Sequence, residues 1–374
     1  MRRPVMVVLA GAVAWCVMLA VTDGADAGAV SAIARAVTAG VWRKAIEVPG
    51  SGALNKGGNA QPVFVSCPSA GNCGGGGAYF DGSGNLQVLV VSERNGVWGK
   101  AIEMPGSATL NKGGAAVLLS VSCASAGNCA AGGFYEGGSR HQQAFVVNER
   151  QGVWRKAIGV PGSAALNAGG AAALRSVSCP SAGNCAAAGD YYDGSLLLQA
   201  FVVSERHGVW GKAIKVPGLG ALNKGGQASP SSVSCASAGN CTAGGTFTDR
   251  SSHRQVFVVS ERNGVWGKAI EVPGTAALNK GREAGVTSVS CASAGNCAAG
   301  GDYKDGSHHQ QAFVVSERNG VWRKAIEVPG TAALNTGGAA VVTSLSCASA
   351  SNCAAVGNYI PASGDQQAFV VNER

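Results

Sequence analysis

A cysteine-bearing octapeptide written six times, a constant step of 56 residues and strand-length apolar segments split by turn dipeptides predict an all-β chain: a six-bladed β-propeller of four-stranded repeats. The octapeptide is SCASAGNC at 122–129, 234–241 and 290–297, SCPSAGNC at 66–73 and 178–185, and SCASASNC at 346–353. Its first cysteines, Cys67, Cys123, Cys179, Cys235, Cys291 and Cys347, are each 56 residues apart. The series Trp42, Trp98, Trp154, Trp210, Trp266, Trp322 keeps the same step, as does the series Tyr79, Tyr135, Tyr191, Phe247, Tyr303, Tyr359.

The second repeat shows why each segment reads as a strand. In 118–123, Leu119, Val121 and Cys123 alternate with Ser120 and Ser122, the period of a pleated strand. The next segment, 129–135, is built of small residues and ends on an aromatic. Then 143–150 is a short apolar run closed by charges, and 152–162 alternates Trp154, Lys156, Ile158 and Val160 before Pro161 stops it. Between them, Asn-Gly at 95–96, 263–264 and 319–320 signals tight hairpins, because both residues tolerate positive φ. Asp-Gly at 81–82, 193–194 and 305–306 marks the turn from second to third strand. Outside the N-terminal segment the sequence predicts no helix. A β-solenoid calls for a shorter period per coil, and paired sandwiches would not need six near-equal units.

Domain organisation follows from the register. Residues 1–27 read as a signal peptide: Arg2 and Arg3, an apolar run from Val5 to Val21, and the cleavage-like Ala25-Asp26-Ala27. An uncleaved membrane anchor is the alternative reading. A short segment, 28–39, then leads to the propeller at 40–374. Because 40–48 has the sequence of a fourth strand and the last repeat ends on its third, 40–48 is expected to pair with the strand around 367–373 and close the ring. A closed ring of this kind is expected to be a monomer.

Composition narrows function more than it defines it. Of 374 residues, 46% are hydrophobic and 13% charged, enough apolar matter for a large core. The net charge of +8 is scattered singly rather than in runs, which argues against a nucleic-acid partner. Without residues 1–27, twelve of the 13 cysteines remain, an even number in a chain expected to be exported. The two thiols of each motif stand at facing ends of a hairpin. The expected bridges are therefore Cys67–Cys73, Cys123–Cys129, Cys179–Cys185, Cys235–Cys241, Cys291–Cys297 and Cys347–Cys353. Zinc is disfavoured by the spacing, and neither a metal nor a cofactor is expected.

The pattern SC-(P/A)-S-x-x-x-C, QAFVV, G-x-W resembles the repeats of secreted propeller-like proteins common in high-GC Gram-positive bacteria. The resemblance covers 40–374 and implies the fold, with little about function. The chain lacks the S-x-D-x-G-x-x-W box of sialidase-like propellers and the G-H and W-D signature of WD40 repeats.

Alternate loops of an antiparallel blade share a rim. The SAGN and ERNG turns fall on one rim, which is nearly uniform. The Asp-Gly loop and the long VPGxxALNxGG loop fall on the other, which varies and is the expected binding face. That rim holds His141, His253, His308 and His309 and the lysines Lys56, Lys112, Lys224 and Lys280. A lysine ring could draw anionic polymers, or it could simply solubilise the chain. Asp190/Asp193 and Asp302/Asp305 cluster as calcium ligands can, though the turn itself accounts for Asp-Gly. The tyrosine series could stack sugars but suits blade packing better. The repeat symmetry is kept where an enzyme would break it. The sequence therefore points to an extracellular binding or scaffold protein for a glycan, envelope polymer or protein; the alternative is a carbohydrate-active hydrolase or lyase.

Overall fold

The computed structural model describes residues 42–374; the expected signal peptide, the 28–39 segment and residues 40–41 lie outside the described residues. The expected strands are present in every repeat. In the second repeat they are Ala116–Ser125, Asn128–Glu136 and Gln142–Arg150, followed by the two-residue strands Val153–Trp154 and Ile158–Gly159. All pair antiparallel, in sequence order, within one sheet. Five repeats make such sheets, and the last makes a three-stranded one from Ala340–Ser349, Asn352–Tyr359 and Gln367–Asn372. The result is a propeller-like repeat fold of six blades.

Two local expectations needed correction. The fourth strand is broken rather than continuous over 152–162, because the Ala157 amide leaves its own sheet. It donates instead to the Pro105 carbonyl in the loop that enters the sheet, at 2.7 Å. The same bond recurs from Ala101 to Pro49, Ala213 to Pro161, Ala269 to Pro217 and Ala325 to Pro273, each at 2.7 Å. Each connecting loop also contains a single helical turn, Ser107–Leu110 in the first crossing. Gly106 enters it at φ 88°, and the Asn111 amide closes it onto Ser107 O. A four-residue turn is too short to leave a helical stripe in the sequence.

The expected pairing of 40–48 with the strand around 367–373 is not shown: residues 40–41 lie outside the described residues, and among these 42–48 carries no strand and the last sheet has three strands.

The core lies between successive sheets. In the QAFVV strand Ala144 and Val146 pack towards the third sheet while Phe145 and Val147 pack towards the first. Both faces are buried, which explains an unbroken apolar run where a half-exposed strand would alternate with polar residues. The serines of the first strand stitch sheet to sheet. Cys123 N–H donates to Ser66 Oγ at 2.9 Å and Cys179 N–H to Ser122 Oγ at 3.0 Å, and the pattern repeats down the chain.

The six disulfides join the expected partners. Bridges in every repeat fit an oxidising compartment, and no helix among the described residues is long and apolar enough to cross a membrane.

Candidate functional site

The loops share rims as their sequence positions imply. On one rim the hairpin glycine bonds the octapeptide turn, Gly96 N–H to Gly71 O at 2.8 Å. Asn95 and Gly96 there have φ of 50° and 78°, the paired left-handed values a tight hairpin needs. On the other rim Gly113 N–H donates to Glu136 O, and Leu86 N–H to Gly114 O, each at 2.9 Å, joining the LNxGG loop to the Asp-Gly loop.

In this second loop the aspartate organises the backbone. Asp81 Oδ1 accepts from the amides of Ser83 at 2.8 Å and Asn85 at 2.9 Å, and Asp305 accepts likewise from Ser307 and His309. Asp193 and Asp249 repeat the arrangement. The acidic pairs noted in the sequence are thereby divided. Asp193 and Asp305 hold turns, whereas Asp190 and Asp302 face other side chains.

The histidines are placed by the same turn. His141 lies over Gly170 of the following loop, where an added Cβ would meet its Cδ2 at 3.2 Å; His309 lies over Gly338 in the same way, at 2.8 Å. Both glycines have φ near 80°, so the ring covers a backbone that only glycine adopts readily. His253 sits 3.5 Å from Asp249 within its own turn, and His308 is exposed at φ 63°. Lys56, Lys112, Lys224 and Lys280 extend from the next loop, all exposed. None of the four joins an ion pair among the described residues. Four members of the tyrosine series, Tyr79, Tyr191, Phe247 and Tyr303, pack inward at no more than 3% exposure and offer no stacking surface, while Tyr135 and Tyr359 are half-buried.

Sequence reasoning missed two charged clusters that break the repeat. Arg175 replaces Leu119, Ser231, Thr287 or Thr343 at the bulge of the first strand. Its guanidinium meets Asp190 twice, at 2.8 and 3.1 Å, and the Ser229 hydroxyl of the next sheet donates to the same carboxylate at 2.6 Å. In the fifth repeat Gln310 donates to Asp302 at 2.9 Å, beside the Lys304–Glu283 pair. Burial pushes the Asp302 carboxyl up, offset in part by Gln310 and Arg254. A search for departures from the six-fold consensus along the first strand would have found Arg175.

Concavities lie elsewhere. Grooves of about 410 Å³ recur between neighbouring sheets, one lined by Val202, Arg206, Lys212 and Trp266, another by Val146, Arg150, Lys156 and Trp210. They follow the repeat and do not include the rim histidines or lysines.

A repeated set of buried carboxylates also sits between sheets. Trp154 Nε1–H donates to Ser92 Oγ at 3.0 Å, and Ser92 O–H donates to Glu149 Oε1 at 2.6 Å. Arg150 and Arg262 reach Glu205 and Glu317 in the same way. Burial raises the carboxyls of Glu149, Glu205 and Glu317, and their serine, asparagine and arginine partners offset only part of it. Asp81, Asp193, Asp249 and Asp305 shift oppositely: slight burial raises them, and the turn amides and glutamines outweigh it.

The linkage has a definite sign. The glutamates are protonated more readily when folded, so their contribution is complete below the unfolded value of 4.5 and is lost as pH rises through the folded values. The aspartates contribute above 3.8, and that contribution is lost as pH falls through their lower folded values. Thermal stability from these groups is therefore expected to peak near pH 4, between the two windows, and to decline towards neutrality. Calorimetry across pH 3–8 measures this, and a triple Glu149→Gln, Glu205→Gln, Glu317→Gln chain should flatten the decline. A midpoint that climbs steadily from pH 4.5 to 7 in the unmodified chain would refute it.

No family model matches the chain, and no curated protein matches it. Solved structures do. A Hadza microbial sialidase is 10% identical, with 83% of this chain and 65% of that one covered at a TM-score of 0.41. A protein of unknown function from Dyadobacter fermentans is 10% identical over 86% of this chain and 97% of its own, at 0.44. The Trypanosoma rangeli sialidase is 10% identical over 83% and 54%, at 0.39. The chain thus spans less than two thirds of the length of either sialidase.

Proposed function

We propose that the protein is an exported binding protein whose variable rim holds an anionic extracellular glycan or envelope polymer. The observation that carries this reading is the set of exposed lysines, Lys56, Lys112, Lys224 and Lys280, placed at one position of the first, second, fourth and fifth repeats and free of carboxylate partners among the described residues. Cations repeated at one register on a rigid frame suit a ligand whose charges also repeat, and their summed potential attracts it from solution. His308, exposed on the same rim, adds a polar contact. The hydrolase alternative calls for two available carboxylates about one substrate; Asp190 is held by Arg175 and Ser229, and Asp302 by Gln310.

The test is an array of uronic, sulfated and phosphate-bearing polymers beside neutral glycans, probed with the full chain at two salt concentrations. Anionic polymers are expected to be retained and to be released by salt. Reversing all four lysines to glutamate should weaken binding about tenfold or more, each exposed charge contributing a few tenths of a kcal/mol. Retention of neutral glycans alone, or binding unchanged in the four-fold variant, would dismiss the proposal.

A further inference from the structure

The break in the fourth strand is matched by a groove at successive boundaries between sheets. In the third sheet Trp210 still pairs opposite Glu205, and Ile214 opposite Val202. Three residues, 211–213, therefore run beside only two on the third strand, Val203 and Ser204. The surplus residue bows the chain away from the sheet, and the Ala213 amide bonds Pro161 of the loop instead. The groove of about 410 Å³ at this boundary is lined by Val202, Lys212 and Ile214 of the third sheet and by Trp266 of the fourth. The boundary before it repeats the arrangement with Val146, Lys156, Ile158 and Trp210, also at about 410 Å³. The boundary after it repeats it with Val258, Lys268, Ile270 and Trp322 at about 250 Å³.

The charges of these grooves do not cancel. Arg150 and Arg206 line them, but each already faces a buried glutamate, Glu205 at 3.1 Å and Glu261 at 3.3 Å. Lys156 and Lys212 are exposed and join no ion pair among the described residues, and neither does Arg155 beside Lys156. Each groove thus combines an apolar lining with an unmatched cation at its mouth. The tripeptide Lys-Ala-Ile that supplies both keeps its register at 100–102, 156–158, 212–214, 268–270 and 324–326, while the rim loops vary. Its isoleucines are between 41% and 52% exposed, so the buried core alone does not account for an apolar residue at every copy. A concave apolar surface with one or two placed polar groups is the usual form of a small-molecule site.

We infer that these grooves bind single-chain anionic amphiphiles, namely free fatty acids. The hydrocarbon chain lies against Val202, Ile214 and Trp266, or their equivalents, and covers apolar surface that water now meets. The carboxylate accepts from Lys212 Nζ at the mouth, where the long flexible stem of lysine lets the ammonium follow the head group. One unmatched cation suits one carboxylate. A hydrophilic polymer is a poor occupant, because an apolar lining leaves its hydroxyls without partners. The grooves are separate from the variable rim, so this inference does not depend on what the rim binds.

The test adds stearate carrying a nitroxide on its hydrocarbon chain, which quenches nearby tryptophans, to the full chain below the micellar concentration. Quenching is expected to saturate and to be reversed by dodecanoate. Competition should strengthen about two- to fourfold for each CH₂ from decanoate to tetradecanoate, the upper figure being that of a fully buried methylene. The methyl ester of dodecanoate, which lacks the charge, should compete about tenfold less well. Reversing Lys100, Lys156, Lys212, Lys268 and Lys324 to glutamate should weaken binding about tenfold. Reversing the four rim lysines alters the net charge by a similar amount and should change it by no more than about twofold. An ester that competes as well as the acid, an affinity that ignores chain length, or equal losses in the two variants overturns the inference. So does emission that the nitroxide acid leaves unchanged. Adsorption to anionic vesicles with no response to the free acid overturns it too, since the grooves would then face a membrane.

Discussion

Gly133→Ala is expected to cost about 3–5 kcal/mol, although it adds a single methyl group. A Cβ on Gly133 would stand 1.9 Å from the Val117 carbonyl oxygen and 3.0 Å from its carbon. The clash recurs in other repeats, at 2.3 Å from Ser229 O for Gly245, 1.9 Å from Gly285 O for Gly301 and 2.1 Å from Val341 O for Gly357. The obstacle is backbone, so no rotamer relieves it. Nor can the first strand yield freely, because its bulge lies beside amides and serines already bonded to adjacent sheets. Gly133 does not have a positive φ, so this is an effect of close approach rather than of backbone conformation. Gly220→Ala is the control. It lies in a helical turn, Leu219–Leu222, with nothing within 4 Å of an added Cβ. Four other repeats carry alanine there, Ala108, Ala164, Ala276 and Ala332. That substitution should stabilise by about 0.5–1 kcal/mol. Urea titration separates the two, and a Gly133→Ala chain within 1 kcal/mol of the parent would show that the sheets are looser than described.

Repeat periodicity made the strands, the cysteine pairs and the sharing of rims legible, because each is a local property copied six times. The interruptions were not legible for the same kind of reason. Whether the amide of Ala157 bonds its own sheet or Pro105 depends on where the preceding loop passes, and no property of residues 152–162 records that path. The small second strand was visible as composition, but its cause is a neighbour in the next repeat: Gly132 is small because Leu174 occupies the space where its side chain would be. The rim histidines stood out as rare residues, yet His141 and His309 cover left-handed glycines of the next loop, a contact between repeats that spacing alone does not reveal. Conversely Arg175 leaves no trace in the periodicity because it departs from it. Its meaning lies in its being the one basic residue at a position otherwise filled by leucine, serine or threonine among the described side chains.

Removing a disulfide should cost different amounts at different places in the series. Each bridge closes a loop of only a few residues, so chain entropy alone accounts for about 2 kcal/mol. The bridges also serve as packing groups between sheets. An added Cβ on Gly74 would meet both Cys123 Sγ and Cys129 Sγ at 2.7 Å, and Thr242 Oγ1 lies 3.4 Å from Cys297 Sγ. Cys179 and Cys185 are 8% and 6% exposed against the second sheet, whereas Cys67 is exposed, with no such sheet before it among the described residues. Replacing Cys179 and Cys185 by alanine therefore adds a cavity to the lost cross-link and should cost about 3–4 kcal/mol. Replacing Cys67 and Cys73 should cost about 2 kcal/mol. Full reduction removes six constraints together, a sum comparable to the whole stability of a typical domain, and should unfold the chain at room temperature without denaturant. Thermal melts of the two double-alanine chains, with circular dichroism before and after reduction, give all three quantities. Equal losses at the two sites would mean that the bridges act through the unfolded chain alone. A reduced protein melting with the oxidised one would mean that they do not hold the sheets at all.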